Sequence, residues 1–379
     1  MSPSAAGLVA PIVAFGALAD DYRGKRASID AAIARVLDRG WFVLGEEVAR
    51  FEEEFALWLG VQHVVACANG TEAIALALQA VGLQAEDEVL LPANTCVPTI
   101  AAVRLARAWP RLADVDPETL TLDADSAGSA VTSTLKCLLP VHLYGGLADL
   151  EGLSLLANRE GLALVEDCAQ SHGASWRGRS AGTFGSAAAF SFYPSKNLGA
   201  YGDGGAVATN DARIAGELRE RRQYGWSRRD HAEREGWNSR LDEIQAAILR
   251  AKLPFLEREN ARRREVADRY DAAFRELPLR LLGCRPGSVP ARHLYPVRLA
   301  RRDAFRQHLA SRGIETGIHY PTPLHLQPAY AFLGHAKGDF PVAEAACETI
   351  ASLPIYPGLS DAQVGVVIAA VSEFFGGRA

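Results

Sequence analysis

The apolar positions of the chain follow two periods that alternate along its first two thirds. Segments in which apolar residues recur every three or four positions predict helices, and short apolar runs between them predict strands. Strands and helices that alternate at this spacing are typical of an α/β fold, with a mainly parallel sheet covered by helices on both faces. The predicted helices are residues 25–37, 46–59, 72–81, 99–107, 149–160, 212–222 and 241–252, and the predicted strands are residues 61–68, 88–91, 112–115, 135–141, 162–165, 187–192 and 206–209.

The last third of the chain has a different pattern, which predicts a smaller α+β domain. Its predicted elements are a long connecting helix, a strand and two further helices, at residues 255–277, 293–299, 303–312 and 361–374. Residues 317–328 hold three prolines and two histidines, which predicts an irregular loop that reaches toward the ligand crevice. We therefore expect a large domain over residues 1–254 and a small C-terminal domain over residues 255–379.

Four short polar stretches follow predicted strands of the large domain. In open parallel sheets a ligand lies at the carboxyl ends of the strands. We therefore expect these stretches to line one crevice, although they are far apart in sequence. They are residues 69–71, 92–95, 142–145 and 167–172.

The composition is that of an ordinary soluble globular protein, with 49% hydrophobic and 22% charged residues. The formal charge of −5 gives no reason to expect nucleic acid as a partner, and the basic run at residues 262–264 is expected on a solvated helix face. No apolar run reaches the roughly 20 residues that a membrane helix requires, and residues 1–15 lack the pattern of a signal peptide. Six scattered cysteines without metal-ligand or disulfide spacing indicate reduced thiols, no metal site and a cytoplasmic protein.

One lysine has a setting that is unusual for a charged residue. Lys196 lies between the predicted strands at 187–192 and 206–209, and four glycines follow it within residues 199–205. Glycines in such number mark backbone that bends tightly or is approached closely. A lysine that forms a Schiff base must lose its proton near neutral pH, which requires a partly desolvated site on a rigid support. On these residues alone, a solvated lysine is the simpler alternative.

An acid occurs where a buried strand is predicted to end. Asp167 there is either the cap of a local turn or the partner of a protonated ring nitrogen. Two opposite charges about 4 Å apart gain about 4 kcal/mol at an effective dielectric near 20, which is enough to favour a pyridinium at neutral pH. His172, a little further on, is either a hydrogen-bonded wall residue or a catalytic base.

Gly70 and Thr71 open a predicted helix, whose free N–H groups and dipole attract anions. They form either a plain helix start or a phosphate cradle, and Ser191 is either a polar strand residue or a further hydroxyl donor. In combination these features are more specific. An anion-binding helix start, a carboxylate at a strand end and a lysine beside a serine are what pyridoxal 5'-phosphate needs.

At this point the sequence as a whole resembles a known family. The chain is similar to the DegT/DnrJ/StrS family of sugar aminotransferases, within the fold-type I pyridoxal-phosphate enzymes, and this resemblance implies an aspartate-aminotransferase-like large domain. The resemblance extends over nearly the whole chain, through residues 43–48, 69–73, 166–173, 191–205, 238–243 and 319–321.

The resemblance implies a role for each candidate residue. Lys196 is implied to hold the cofactor aldehyde as an imine and to act as general acid and base, Asp167 to pair with the pyridine nitrogen, and Gln170 to contact the ring oxygen beside the imine. The implied phosphate ligands are Gly70, Thr71 and Ser191.

Three further residues are assigned by the resemblance. Asn238 matches a family asparagine that reaches the phosphate of the neighbouring subunit's cofactor, which implies a homodimer with shared active sites. His319 and Tyr320 match a loop near the sugar.

The implied reaction is the transfer of an amino group from L-glutamate to a nucleotide-linked keto-sugar. Residues 172–174, 193–199 and 238–243 are most similar to members that act on dTDP-3-keto-6-deoxyhexoses, and a 4-keto sugar is the alternative. A pyridoxal-phosphate sugar dehydratase and a regulatory protein with the same fold are also possible. Some family dehydratases have histidine in place of the lysine, so the intact Lys196 favours amino transfer.

The chain departs from the family at one position near the cofactor. Where the family commonly has an aromatic residue stacked on the cofactor ring, this chain has Cys96. Because a thiol cannot stack in that way, either another side chain covers the ring or the cofactor is held less firmly.

Overall fold

The computed structural model describes residues 13–376. The first twelve residues, in which the absence of a signal pattern was expected, lie outside the described range. The helices are α1 (Leu18–Arg39), α2 (Glu46–Leu59), α3 (Gly70–Ala80), α4 (Val97–Leu105), α5 (Ala124–Ser129), α6 (Leu150–Glu160), α7 (Ala212–Arg221), α8 (Glu243–Lys252), α9 (Leu256–Phe274), α10 (Arg302–Ser311), α11 (Pro341–Thr349) and α12 (Asp361–Phe374).

The strands are grouped into a large sheet and several small ones. They are β1 (His63–Cys67), β2 (Glu88–Pro92), β3 (Trp109–Ala113), β4 (Leu135–Leu138), β5 (Ala163–Asp167), β6 (Ser175–Trp176), β7 (Arg179–Ser180), β8 (Ala187–Ser191), β9 (Gly205–Thr209), β10 (Trp226–Arg228), β11 (His231–Ala232), β12 (Arg280–Leu281), β13 (Ser288–Val289), β14 (Tyr295–Arg298) and β15 (Ile350–Leu353). Short 3-10 turns cover Leu143–Gly145, Leu253–Phe255, Leu324–Leu326 and Pro328–Leu333.

The large sheet has seven strands in the order β1-β9-β8-β5-β4-β2-β3. Strand β9 runs antiparallel to both of its neighbours, and the other pairs are parallel. The predicted mainly parallel α/β sheet is therefore confirmed. Every residue of the strand pair β8 and β9 is buried, as expected for a sheet covered on both faces.

The centre of this sheet is built from small residues on one strand and aromatic residues beside it. Ala187 and Ala189 of β8 leave room for helix α3 to pack closely against one face of the sheet, and Ala188 lies on the opposite face. Phe190 and Phe192 pack edge-on against Phe55, at centroid distances of 5.2 and 5.5 Å. This packing fixes the strand that leads into the loop of Lys196.

A second core lies in the last part of the chain, around the three-stranded antiparallel sheet β12-β14-β15. Helices α9, α10 and α12 pack on it through buried residues such as Tyr270, Phe305 and Val367, and Val13 joins the same core. The 3-10 turn Leu253–Phe255, between α8 and α9, coincides with the expected boundary after residue 254. The division into two domains at this point stays a prediction.

Two segments that are far apart in sequence are joined at the start of α2. The buried Glu243 accepts hydrogen bonds from the N–H groups of Gly45, Glu47 and Val48, at 2.8 to 3.0 Å. A Cβ on Gly45 would lie 2.7 Å from the carboxylate, so a glycine is needed there. The carboxylate thus caps the free N–H groups of α2 and complements its dipole.

Within residues 13–376, no helix is both long and apolar enough to cross a membrane.

Candidate active site

A cavity of about 1150 Å³ lies at the carboxyl ends of the central strands. It confirms the expectation that the stretches at 69–71, 92–95 and 167–172 meet, since each contributes lining residues. The stretch at 142–145 does not line the cavity. It instead contacts lining residues, through hydrogen bonds of Tyr144. The sequence-predicted residues that line the cavity are Gly70, Thr71, Asp167, Gln170, Ser191, Lys196, His319 and Tyr320.

The start of helix α3 forms one end of the cavity. Asn69 caps the helix by accepting a hydrogen bond from the N–H of Glu72 at 2.9 Å, which leaves the N–H groups of Gly70 and Thr71 at the cavity. A Cβ on Gly70 would lie 2.6 Å from the Cβ of Ser191, and a Cβ on Gly205 would lie 2.4 Å from the backbone of Asn69. Both glycines are therefore required for β8 and β9 to approach this helix start closely.

Asp167 ends strand β5 and is only 3% exposed. One carboxylate oxygen accepts a hydrogen bond from the hydroxyl of Thr99 at 2.9 Å, and the other accepts one from the N–H of Ala169 at 3.0 Å. Burial raises the pKa of Asp167, while these two donors and the charge of Lys196 act in the opposite direction. The side chain is thus oriented and desolvated, a state in which a cationic partner would be strongly favoured.

Lys196 faces the same cavity from the loop after β8. Burial lowers its pKa, and the charge of Asp167 and the thiol of Cys96 oppose this effect. The loop turns through a hydrogen bond from the N–H of Lys196 to the carbonyl of Tyr193 at 2.8 Å. A lysine with a lowered pKa loses its proton more readily and is therefore suited to act as a nucleophile or a base.

The residue after the lysine anchors the loop. The amide nitrogen of Asn197 donates to Asn260 on α9 at 2.8 Å and to the carbonyl of Ala291 at 2.9 Å. Its amide oxygen lies 3.0 Å from Nδ1 of His293. Asn197 is itself buried, so these bonds are shielded from water and hold the backbone of the lysine in place.

The predicted loop at 317–328 does reach the cavity, through His319 and Tyr320. The amide nitrogen of Gln170 donates to the hydroxyl of Tyr320 at 3.0 Å, and its amide oxygen accepts from the N–H of Tyr144 at 2.7 Å. The hydroxyl of Tyr144 in turn donates to the carbonyl of His319 at 2.6 Å. Burial and the charge of Lys196 lower the pKa of His319 to about 4, so this imidazole is neutral at pH 7.

Two residues that the sequence singled out lie outside the cavity lining. His172 is fully buried and packs against the rings of Phe190 and Phe192, and burial lowers its pKa to about 3. It is a wall residue rather than a base at the cavity. Asn238 is exposed and pairs with Gln223 away from the cavity, so within a single chain it does not meet the other site residues.

Cys96 lines the cavity as the sequence implied. Burial raises the pKa of its thiol, while Tyr320 and Lys196 lower it, which places the sulfur among these groups. Burial and Cys96 in turn raise the pKa of Tyr320, so these two side chains are neighbours in the lining.

Several residues of the site were missed by sequence reasoning, namely Thr99, Tyr144, Asn197 and His293. The position of Thr99 in the first turn of α4, directly after β2, is a signal that could have identified it. The others carry no local signal, because their roles depend on partners far away in sequence.

A neighbouring buried cluster of His142, Glu166 and Cys168 has the spacing of metal ligands but is already satisfied. Nδ1 of His142 accepts the N–H of Ala148, so its Nε2 donates to Glu166 at 3.0 Å. Glu166 also accepts three backbone N–H groups from the turn at residues 182–185. Although burial alone would raise the pKa of Glu166, these donors lower it. The cluster therefore stabilises the turn beside Asp167.

The comparisons with known proteins agree with this geometry. Residues 24–372 match the model of the DegT/DnrJ/EryC1/StrS aminotransferase family. The chain is 46% identical over 365 residues to a dTDP-3-amino-3,4,6-trideoxy-alpha-D-glucose transaminase of Streptomyces venezuelae, with 96% of each chain covered. It is 41% identical to a dTDP-3-amino-3,6-dideoxy-alpha-D-galactopyranose transaminase of Aneurinibacillus thermoaerophilus, over 91% of this chain and 95% of that one.

A solved structure gives the same result for the fold. The crystal structure of S. venezuelae DesV in complex with a ketimine intermediate superposes with a TM-score of 0.94 at 46% identity, covering 96% of this chain and 98% of that one. With a match that spans nearly its whole length, the chain belongs to the DegT/DnrJ/EryC1/StrS aminotransferase family.

Proposed function

We propose that this aminotransferase uses pyridoxal 5'-phosphate to move an amino group from L-glutamate to a nucleotide-linked keto-sugar, most specifically a dTDP-3-keto-6-deoxyhexose. The observation that carries the proposal is the placement of Lys196 and Asp167 in one buried cavity, close enough for each to shift the pKa of the other. The 46% identity to a transaminase of this substrate class supports it.

The residues present fit the cofactor. The glycines at the start of α3 leave a space that a Cβ would fill, beside free N–H groups and the hydroxyl of Ser191, which suits a phosphate. No Lys, Arg or His nitrogen in residues 13–376 lies within 4 Å of the Asp167 carboxylate, which leaves this buried acid free to pair with a ring nitrogen. Lys196 supplies the amine on the same cavity.

When bound, the cofactor supplies an electron sink that stabilises negative charge on the substrate carbon. Lys196, with its lowered pKa, would take a proton from that carbon and deliver it to the aldehyde carbon of the cofactor, on the other side of the shared nitrogen. Asp167 would keep the ring nitrogen protonated, and Gln170 would contact the ring oxygen. Gly70, Thr71 and Ser191 would hold the phosphate.

The names of the relatives indicate which carbon of the sugar receives the amino group. Both curated relatives described above are named for products with the amino group at C3. We therefore favour a 3-keto sugar over a 4-keto sugar. His319 and Tyr320, at the cavity and tied to Gln170, are proposed to contact the sugar, and the neutral imidazole of His319 can accept or donate a hydrogen bond there.

A homodimer with shared active sites would explain the exposed position of Asn238. Three adjacent apolar residues, Trp41, Phe42 and Val43, are also 39–60% exposed, which is costly for such large side chains in water. Strand-like pairing of Val43 with Asp242 brings this apolar stretch next to the segment that carries Asn238. We propose that a second copy of the chain covers this surface and receives Asn238 at its own cavity.

A cytoplasmic location is supported by the cysteines. All six are free thiols, four of them buried, as expected in a reducing compartment.

The proposed function is tested by absorbance spectroscopy and a substrate panel. Protein loaded with pyridoxal phosphate should absorb at the violet edge of the visible, and L-glutamate should bleach this band. The bleached protein should then aminate dTDP-3-keto sugars in preference to 4-keto, UDP- and GDP-linked ones, as measured by mass spectrometry.

The matched variants are Lys196→Ala and Lys136→Ala, the latter an exposed lysine on β4. K196A should lose the bleaching and the turnover, and K136A should retain both. Sugar amination by K196A at the wild-type rate would refute the assignment, and an amino product at C4 would refute the substrate.

A further inference from the structure

Part of the cavity wall, where α1, α8 and α9 meet, carries more positive than negative charge. Three buried cationic residues lie there with two largely buried carboxylates beside them, while a third carboxylate, that of Asp20, is exposed and paired with Arg23. The buried cations are Lys25, Lys252 and Arg263, and the two largely buried carboxylates are those of Asp21 and Glu259.

The two carboxylates are already used by the two lysines. Asp21 pairs with Lys25 and with Lys252, the latter at 2.9 Å, and Glu259 pairs with Lys25. Lys252 also donates to the carbonyl of Gly199 at 2.7 Å. Both carboxylates are therefore committed to this lysine network.

Arg263 is the buried cation that this network leaves without a contacting carboxylate, although the charges of Glu259 and Asp21 act on it from beyond contact distance. It is 7% exposed, and one terminal nitrogen donates to the carbonyl of Ile355 at 2.9 Å. Its Nε has no hydrogen-bond partner, and no carboxylate of the described residues 13–376 lies within 4 Å of its guanidinium. A buried guanidinium has five donors and is costly to leave unpaired.

The other two arginines of this wall are not buried without a contacting carboxylate as Arg263 is. Arg262 pairs with Asp361 at 2.8 Å and with Glu265 at 3.2 Å. Arg258 is exposed and lies over the ring of Phe255. Burial lowers the pKa of Arg263 to about 10, so it nevertheless remains charged at pH 7.

Arg263 lines the same cavity as Lys196. His293 lines the cavity, and its pKa is lowered by burial and by the charges of both Lys196 and Arg263. His293 also holds Asn197, the neighbour of the lysine. Because Lys196 and Arg263 line one cavity, an anionic group of a substrate bound there shares the cavity with both of them.

We propose that Arg263 binds an oxyanion of a substrate in this cavity. The inference rests on the proposed function, in which both substrates are anionic: the amino donor brings carboxylates, and the nucleotide-linked sugar brings phosphates. Either group would supply the charge and the two acceptor oxygens that the guanidinium fork requires.

The test is isothermal titration calorimetry on the cofactor-loaded protein with two unreactive probes, glutarate and dTDP. The variants are Arg263→Gln, which removes the charge, and Arg263→Lys, which keeps the charge but not the fork. The matched control is Arg264→Gln, on the same helix but outside the cavity lining, where the arginine pairs with Glu257. R263Q should lower the affinity for one or both probes by about 10- to 100-fold, and R263K should lower the affinity for the same probe by less. R264Q should leave both affinities unchanged.

A loss of affinity for glutarate would show that Arg263 binds the amino donor, and a loss of affinity for dTDP would show that it binds the sugar nucleotide. If R263Q and R263K bind both probes like the wild type, or change only the melting temperature, Arg263 is a structural residue and the inference is wrong. Because neither probe can be transaminated, this result is independent of the spectroscopic test of the proposed function.

Discussion

At the scale of single residues, the site depends on burial of groups that carry or transfer charge. Asp167 is oriented by Thr99 and Ala169 while burial raises its pKa. Lys196 is affected by burial in the opposite sense, toward loss of its proton. The same desolvation thus prepares the acid to receive a cation and the lysine to act as a base.

Replacement of Asp167 by Asn should remove the partner of the ring nitrogen while keeping the shape of the side chain. We expect the glutamate half-reaction to slow by about 100- to 5,000-fold, since a buried charge pair broken on one side costs about 3–5 kcal/mol. Thr99→Val, which removes one hydrogen-bond donor to Asp167 but keeps the carboxylate, should slow the same half-reaction only about tenfold. Stopped-flow absorbance measures both rates, and an Asp167→Asn rate close to the wild type would contradict the assignment.

His172 should make stability depend on pH. Its pKa is about 3 in the folded protein, against 6.5 as its ordinary value. Between these values the unfolded chain binds the proton and the folded one does not, so stability falls as the pH is lowered from about 6.5. At pH 5 this single group should cost about 2 kcal/mol.

Urea denaturation between pH 5 and 7.5 tests this expectation. His172→Gln should reduce the slope of stability against pH, whatever its effect on stability at pH 7. An unchanged slope would show that other groups, such as the buried His293, account for the acid sensitivity.

At the scale of elements, the structure shows which sequence patterns specify an element by themselves. The bounds of α2 and α12 agree with those predicted, because both helices have an amphipathic pattern and clear ends, with a Ser360–Gln363 capping box at the start of α12. Helix α11 and strand β15 were not predicted. Residues Ile350–Leu353 are all buried, and a short apolar run of this kind has no period to identify it.

The cap of α2 is a testable contact between elements. Glu243→Ala would leave three N–H groups without an acceptor, two of them buried and one partly buried, and we expect the free energy of unfolding to fall by about 3 kcal/mol. The neighbouring Asp242 is exposed, and its side chain caps no helix N–H group. Asp242→Ala should therefore change the free energy of unfolding by less than about 0.5 kcal/mol. Equal effects in urea denaturation would show that the cap contributes little.

At the scale of the whole molecule, the residues that line the cavity could be predicted from the sequence better than the residues that hold them in place. Eight predicted site residues line one cavity. Gly70, Thr71, Asp167, Ser191 and Lys196 were found because a helix start, strand ends and the lysine loop leave local patterns in the sequence, whereas Gln170, His319 and Tyr320 were assigned by the family resemblance. Asn197 and Tyr144 leave none, since each acts on residues brought near by folding. The division into two domains after residue 254 remains our proposal.

The active site that we propose to be shared between subunits predicts that two inactive chains can restore each other. In a mixed dimer of Lys196→Ala and Asn238→Ala chains, one of the two cavities would combine an intact lysine with an intact asparagine. Random assembly should then recover about a quarter of the wild-type activity, because half of the dimers are mixed.

Co-expression of differently tagged chains, followed by purification and activity assay, measures this recovery. The control pairs Lys196→Ala with Asp167→Asn, two residues that line the cavity of the same chain, and should recover nothing. Recovery no greater than the sum of the parent variants would exclude the exchange of Asn238 between subunits.

The hydrogen bonds of Asn197 to Asn260 and Ala291 have a mechanical consequence. They couple the peptide next to Lys196 to helix α9, so that any movement of this helix would carry Lys196 with it. Entry and exit of substrates are then expected to rely on segments outside this rigid linkage, such as the proline-rich loop that bears His319.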